Sequence, residues 1–238
     1  MTFLDFSRLS AIDPGKFQQN KPYPWMNPEG LLTKEGHEQL MTTLPDVSLF
    51  QRRFGVSRAH GQQSHDRFTL EYHDDLPLSP AWKAFAAELN GKEYQTWLQR
   101  LFKISSLELT LHWHYTPNGC SVSPHCDAKH KLGSHIFYFN TEKDWQESWG
   151  GETVILDDEG RFDRHSAPKF EDFKFATASK AIGNYSLLFA RKGNSWHGVK
   201  EIQCPPGNMR KVFIVVINRL TWLDRMQRHF FGKSSKGY

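Results

Sequence analysis

Two residues with metal-binding side chains, His125 and Asp127, lie two positions apart in the sequence. On an extended chain, residues two apart project from the same face, so this imidazole and this carboxylate would point together while Cys126 faces away. His197, brought back by the fold, can complete a set of two histidines and one carboxylate. Such a set leaves three metal positions open and suits non-heme Fe(II) that must also hold a co-substrate and oxygen. A His-x-Asp pair alone occurs by chance in many chains, so the sequence after His197 is needed to decide whether these residues form a metal site.

Arg210 opens a continuous apolar run at residues 210–218, which predicts a buried strand. It shares a strand face with Val212 and Ile214, whereas Lys211 points to the opposite face. A guanidinium that enters the interior of a sheet needs an anionic partner, and its planar fork matches a carboxylate bidentately. Strands also often begin with a surface charge, so the role of Arg210 has to be inferred together with the other motifs in the sequence.

The order of these residues resembles a known family. A His-x-Asp pair, a distant histidine and an arginine that opens a strand are similar to the Fe(II)- and 2-oxoglutarate-dependent dioxygenases, and most similar to their prolyl-hydroxylase-like branch. The resemblance covers residues 106–220. The further segments that match the family in order are Tyr-Thr-Pro-Asn-Gly at 115–119, Ile-Phe-Tyr-Phe-Asn at 136–140, Trp145, Gly-Gly-Glu-Thr at 150–153 and Ser-Leu-Leu-Phe at 186–189.

This resemblance implies a site and an activity. The residues that it assigns to Fe(II) are His125, Asp127 and His197. It further implies that 2-oxoglutarate chelates the iron and is held at its far carboxylate by Arg210 and Tyr138, while Tyr115 lines the iron and co-substrate pocket. With O2 as the other co-substrate, the enzyme would hydroxylate a C–H bond of a peptidyl substrate, prolyl residues included, or of a small molecule. Succinate and carbon dioxide would be released.

Several alternatives stay open at this point. Ile214 and Val216 stand where prolyl-hydroxylase-like enzymes often carry a hydroxylated residue or a tryptophan, so prolyl specificity is in doubt. The chain could be a non-catalytic binding protein on a jelly-roll scaffold, or a cupin-like metalloenzyme that does not use 2-oxoglutarate. Arg210 argues against the second alternative, because those chemistries need no buried anchor for a carboxylate. The histidines that compete for the metal, none with a carboxylate at the same spacing and a following arginine strand, are His112, His114, His130, His135 and His165.

The sequence pattern around these residues predicts a mainly β fold with additional helices (α+β). After Leu107 the sequence consists of short strand-like segments separated by Gly, Pro and Asp, and their number suits a double-stranded β-helix, a jelly-roll relative of the cupins. Residues 28–44 and 79–102 carry apolar stripes at helical spacing and predict helices that pack on one sheet. Residues 1–27 indicate a largely irregular lead-in.

We predict one domain with three parts. They are a helical buttress and cleft wall at 1–105, a double-stranded β-helix catalytic core at 106–220, and a C-terminal helix and tail at 221–238. Composition adds little to this, because a net charge of +4 is too small to favour nucleic acid as a partner. The three cysteines lack metal-knuckle spacing and are too few to predict a disulfide framework. The sequence also has no signal-like segment and no apolar run of membrane-spanning length, so we predict a cytoplasmic protein. The sequence leaves the oligomeric state open.

Overall fold

The computed structural model describes residues 2–220, so the predicted C-terminal helix lies outside the described residues. The α-helices in the described part are α1 (Phe6–Ala11), α2 (Pro14–Gln19), α3 (Lys34–Thr42), α4 (Pro80–Leu89) and α5 (Lys92–Phe102). Local sequence explains where helices begin: the Ser79 hydroxyl accepts a hydrogen bond from the Trp82 amide, and Pro80 occupies the first turn of α4. No helix in this part of the chain has the length and apolar character needed to cross a membrane.

The strands form two antiparallel sheets. They are β1 (Trp25–Met26), β2 (Gln51–Arg53), β3 (Arg67–Glu71), β4 (Leu107–Pro117), β5 (Val122–His125), β6 (Lys131–Tyr138), β7 (Val154–Asp157), β8 (Phe175–Ala178), β9 (Ser186–Ala190), β10 (His197–Val199) and β11 (Met209–Arg219). One sheet has the order β1-β9-β6-β11-β4-β3-β2, and the other has the order β5-β10-β7-β8. This arrangement confirms the predicted mainly β jelly roll.

The central strand β11 separates two apolar layers. Phe213 and Val215 belong to a large cluster that includes the helices, whereas Val212 and Ile214 belong to a smaller cluster with Ile155 of the four-stranded sheet. Because side chains alternate along a strand, one face of the seven-stranded sheet meets the helices and the other meets the second sheet. We call these faces the helix face and the inner face.

Aromatic side chains of α4 hold the helices against the helix face. The Trp82 ring lies 5.0 Å from the Trp113 ring on β4 and 5.1 Å from the Phe213 ring on β11, measured between centroids. Phe85 lies 5.7 Å from Phe213. All four side chains are fully buried, and such rings contribute much of the apolar area that a core removes from water. The helices therefore cover one sheet, as the sequence predicts.

The N-terminal region contains more regular structure than the sequence predicts. Residues 1–27 include α1, α2 and β1, and β1 extends the large sheet by pairing with β9. The helix expected at 28–44 begins only at Lys34, because the preceding residues form isolated bridges, one of them between Leu32 and Leu4. Helices of six residues and a strand of two are too short to give a periodic signal, so tertiary pairing decides these segments.

Candidate functional site

Two neighbouring strands of the four-stranded sheet place His125 and His197 side by side. Strands β5 and β10 pair antiparallel with His197 directly opposite His125, and the two imidazole centroids are 4.4 Å apart. Asp127 follows two residues after His125 and is buried, with 7% of its surface exposed. One ligand atom from each of the three residues lies within 4.8 Å of the others. The structure therefore brings together the three residues that the sequence proposes as metal ligands.

Backbone carbonyls fix the tautomer of both histidines. The Nδ1–H of His125 donates to the Ser123 carbonyl oxygen at 2.9 Å, and the Nδ1–H of His197 donates to the Ser195 carbonyl oxygen at 3.0 Å. Because a carbonyl oxygen only accepts, the proton of each ring is on Nδ1 and the Nε2 lone pair is available to a metal. Burial, the largest cause for both rings, lowers the pKa of His125 and of His197, which keeps the imidazoles neutral as metal binding requires.

Cations around Asp127 keep its carboxylate ionised and its loop in place. Burial opposes ionisation, but the Lys131 ammonium, helped by electrostatic interactions with the His197 and His125 imidazoles, outweighs burial and holds the pKa of Asp127 well below its usual value. The Lys131 ammonium donates to one carboxylate oxygen at 3.1 Å. The main-chain oxygen of Asp127 accepts hydrogen bonds from Arg164 and Arg191, both at 3.0 Å. Two neutral nitrogens and one ionised oxygen form a donor set that fits a divalent first-row metal ion.

Arg210 lies on the inner face of β11 and is buried, with 6% exposure. Its Nε–H donates to the Gly151 carbonyl oxygen, and Nη2 donates to the Thr153 hydroxyl at 3.2 Å. Its guanidinium carbon is 5.6 Å from the centre of the Tyr138 ring. Within residues 2–220, no carboxylate forms an ion pair with Arg210. A buried guanidinium without an anion is costly, so this position fits an anionic ligand.

Hydroxyl groups surround the same guanidinium. The Tyr138 hydroxyl donates to the Thr153 hydroxyl at 3.2 Å, and it lies 2.9 Å from the Ser179 hydroxyl. Thr153 and Ser179 are both buried. The motif at residues 150–153 contains Thr153, but sequence reasoning did not single it out as a site residue, and Ser179 gave no signal. Together these groups offer donors to a carboxylate placed beside Arg210.

The comparisons with known proteins agree with this geometry. Residues 111–218 match the model of the 2OG-Fe(II) oxygenase superfamily. This range contains the three candidate metal ligands, Arg210 and the groups that surround them. The region 111–218 belongs to the 2OG-Fe(II) oxygenase superfamily. Among curated proteins, none matches this sequence significantly.

Solved structures with the same fold include prolyl hydroxylases. A prolyl-4-hydroxylase from Pseudomonas putida superposes with a TM-score of 0.61 at 14% identity, over 89% of this oxygenase and 99% of that chain. A prolyl hydroxylase from Trichoplax adhaerens, solved with a hypoxia inducible factor peptide, gives a TM-score of 0.61 at 14% identity, over 96% and 94% of the two chains. The α-ketoglutarate-dependent carbocyclase SnoK from nogalamycin biosynthesis gives 0.59 at 10% identity, over 97% and 96%. These likenesses show the shared fold.

The structure of this oxygenase does not bring Tyr115 to the site. Tyr115 lies on the helix face of β4, where its ring stacks on Phe50 at 4.3 Å and its hydroxyl donates to the Pro45 carbonyl oxygen at 3.1 Å. The strand continues to Pro117, so strand alternation places Tyr115 with Trp113 and turns His114 and Thr116 to the inner face. We therefore correct its assignment from pocket lining to packing.

His65, which no sequence motif singles out, lies against the metal-ligand candidates. The His65 ring is 4.7 Å from the His125 ring, and its Nε2 lies 3.1 Å from the Ser123 hydroxyl oxygen. His65 belongs to the connection between β2 and β3, which therefore reaches the candidate metal site. Burial, followed by the charges of Arg58 and Arg67, lowers its pKa to about 3, so His65 is neutral at neutral pH.

Proposed function

We propose that this 2-oxoglutarate-dependent oxygenase binds Fe(II) through the Nε2 atoms of His125 and His197 and the carboxylate of Asp127. The observation that carries this proposal is the convergence of three ligand atoms within 4.8 Å, with both imidazoles held in the tautomer that presents Nε2. Three protein ligands leave three positions for co-substrate and oxygen. Membership of the superfamily favours this enzyme over the non-catalytic and cupin-like alternatives.

We propose that the far carboxylate of 2-oxoglutarate is held by Arg210 and Tyr138. The guanidinium is buried, its Nε–H and Nη2 are directed by Gly151 and Thr153, and the Tyr138 hydroxyl belongs to the same hydrogen-bonded group. A carboxylate would neutralise the buried cation and accept charge-assisted hydrogen bonds. Because the inner-face neighbours Val212 and Ile214 are apolar, their side chains offer no polar groups that would hold water beside this contact.

The reaction that follows from this arrangement is hydroxylation of a C–H bond. Iron held by the triad would supply activation of O2. Oxidative decarboxylation of 2-oxoglutarate to succinate and carbon dioxide would provide two electrons and take up one oxygen atom, and the substrate C–H bond would provide the other two electrons and receive the second oxygen atom. The protein contributes neutral imidazoles, an ionised Asp127 and a fixed co-substrate orientation. Lys131 stabilises the carboxylate charge, so the triad is ready to bind a cation.

The substrate that we propose is a peptidyl residue, with proline among the candidates, or a small molecule. Neighbours with this fold include both kinds of protein: prolyl hydroxylases, one of them solved with a peptide, and a carbocyclase of nogalamycin biosynthesis. A screen of prolyl peptides and small metabolites, read as succinate formed, would separate the two classes. We propose the cytoplasm as the compartment, supported by three cysteines that are all free.

Iron binding tests the proposed metal set. Fe(II) titrated under nitrogen should bind the wild-type protein tightly, whereas His125→Ala and Asp127→Ala should each lose most of the affinity because a ligand is deleted. Adding 2-oxoglutarate should give a weak visible charge-transfer band in the wild type only. His130→Ala is the matched control, since His130 is exposed and lies just beyond the site. Wild-type affinity and a full band in both ligand variants would refute the assignment.

A further inference from the structure

His60 and His165 lie side by side outside the proposed iron site. The Nε2 atom of His60 is 3.1 Å from the Nδ1 atom of His165, and the two ring centroids are 4.6 Å apart. Both side chains are exposed, although 105 residues separate them in the sequence. The fold therefore brings two metal-binding side chains together at the surface.

Two connections between strands supply this pair. His60 belongs to the connection between β2 and β3, and His165 belongs to the connection between β7 and β8. A second contact joins the same connections, because the side-chain amide of Gln62 donates to the Ser166 carbonyl oxygen at 3.4 Å. The pairing of the two histidines is thus part of a larger contact between the two segments.

The backbone of His60 is in the left-handed region, with a φ of +63° and a ψ of +23°. Few residues with a side chain adopt this conformation, and histidine is one of the types that adopt it more readily. Non-glycine residues in this region cluster at ligand clamps and other functional sites, where the surrounding structure holds them in place. At His60, this conformation accompanies the placement of the ring against the ring of His165.

The separation of the two ring nitrogens suits a shared metal ion. With zinc–nitrogen bonds of about 2.0–2.1 Å, two nitrogens on a tetrahedral Zn²⁺ are roughly 3.3 Å apart. The observed 3.1 Å needs only a small adjustment, which two exposed rings can make by rotating. Within residues 2–220, the only group of three or more ligand side chains is the triad at the proposed iron site. Water would therefore complete the coordination of an ion held by the two histidines.

We infer that His60 and His165 form a second metal site, which binds a divalent first-row transition metal ion such as Zn²⁺ through His60 Nε2 and His165 Nδ1. Imidazole nitrogen is a ligand that suits these ions. In the protein without the ion, one of these two nitrogens donates its proton to the other. The inference goes beyond the proposed function, since it assigns an additional ion to residues that the reaction does not use.

An ion at this site would join two segments that each reach the proposed iron ligands. In the β2–β3 connection, the His65 ring lies 4.7 Å from the His125 ring. In the β7–β8 connection, Arg164 donates to the main-chain oxygen of Asp127 at 3.0 Å. The second site is therefore positioned to hold both segments against the iron site.

Zinc titration of the full-length, metal-free protein tests this inference. Calorimetry should show two Zn²⁺ ions bound to the wild type, one at the triad and one at the histidine pair. His60→Asn should bind one ion fewer, and asparagine is chosen because it also adopts the left-handed backbone conformation. His165→Asn should have the same effect. His73→Asn is the matched control, because His73 is also an exposed histidine, and it should bind Zn²⁺ like the wild type.

Ring nitrogen resonances identify the ligand atoms. In the 15N-labelled wild type, Zn²⁺ should move the resonances of His60 Nε2 and His165 Nδ1 to the position of metal-bound imidazole nitrogens. Equal zinc stoichiometry in the wild type and His60→Asn, without a shift of these two nitrogens, would overturn the inference. An equal loss in His73→Asn and His60→Asn would overturn it as well, because zinc would then bind surface histidines in general.

The comparison between variants does not depend on the proposed function. If the triad binds no metal, the wild type should bind one Zn²⁺ and His60→Asn none, so the loss of one ion still supports the second site. If only the triad binds metal, the wild type and His60→Asn should each bind one Zn²⁺, and the second site is refuted.

Discussion

At the scale of single residues, Gly151 determines how Arg210 is held. Gly151 has a φ of +94°, and a Cβ at this position would lie 3.2 Å from Cδ of Arg210 and 3.2 Å from Cζ2 of Trp145. Its carbonyl oxygen also accepts the Nε–H of Arg210. Only glycine adopts this backbone conformation without strain, so a residue with no side chain is needed to let the guanidinium approach.

Gly151→Ala should damage co-substrate binding as well as stability. The strained backbone should cost about 1–3 kcal/mol of unfolding free energy, and displacement of Arg210 should weaken 2-oxoglutarate binding in the iron-loaded protein. Gly150→Ala is the control, because Gly150 also has a positive φ, of +79°, but its Cβ would meet no atom closer than 3.6 Å. Denaturant unfolding and anaerobic calorimetry should show a stability loss in both variants and a loss of affinity in Gly151→Ala alone. Equal affinities would contradict this role of Gly151.

At the same scale, strand alternation explains which site residues the sequence could identify. Arg210 and Tyr138 lie on the inner face and Lys211 does not, as the two-residue period requires. The assignment of Tyr115 to the pocket was wrong because its face was inferred from the motif, whereas the two-residue period of β4 places it on the helix face with Trp113. His65 could not be found, since its position depends on how a loop folds over a distant sheet.

At the scale of elements, strand pairing positions the site residues, and the helices pack behind the sheet that helps to form the site. The antiparallel register of β5 and β10 brings His125 and His197 together although 71 residues separate them in the sequence. The strands were predictable because each is a short apolar run between turn residues. The added strands β1, β2 and β3 at the sheet edges were only partly predictable, because β3 alternates while β2 is a fully exposed run of three residues. The pairing of β2 therefore depends on contacts with residues that are remote in the sequence.

At the scale of the whole molecule, buried histidines make the fold sensitive to acid. The histidines whose pKa is lowered from the usual value, in each case with burial as the largest cause, are His37, His65, His112, His114, His125, His135 and His197. His135 illustrates the effect: burial between the sheet and α5, where it contacts Tyr94 at 2.8 Å, lowers its pKa to about 3. These groups are neutral in the folded protein.

We expect the metal-free protein to lose stability as pH falls from 6.5 toward 5. In this window the unfolded chain, with a histidine pKa of about 6.5, binds protons that the folded chain does not, so each such histidine costs up to about 1.4 kcal/mol per pH unit. Urea unfolding at a series of pH values measures the slope. His135→Gln should reduce the slope by close to one proton. A wild-type stability that is constant between pH 7 and 5 would contradict this account.

The most direct test of the oxygenase assignment is a titration of 2-oxoglutarate into iron-loaded Arg210→Ala and Lys211→Ala under nitrogen. Arg210→Ala should weaken 2-oxoglutarate binding roughly 30-fold or more, because a carboxylate left without its buried partner costs about 2–5 kcal/mol. Iron binding should change little, since Arg210 is not a proposed ligand. Lys211→Ala should behave nearly as wild type, because the Lys211 ammonium points away from the inner face and pairs with Asp144 at 3.2 Å. Unchanged affinity in Arg210→Ala, or weakened affinity in Lys211→Ala alone, would contradict the assignment of Arg210 as the co-substrate anchor.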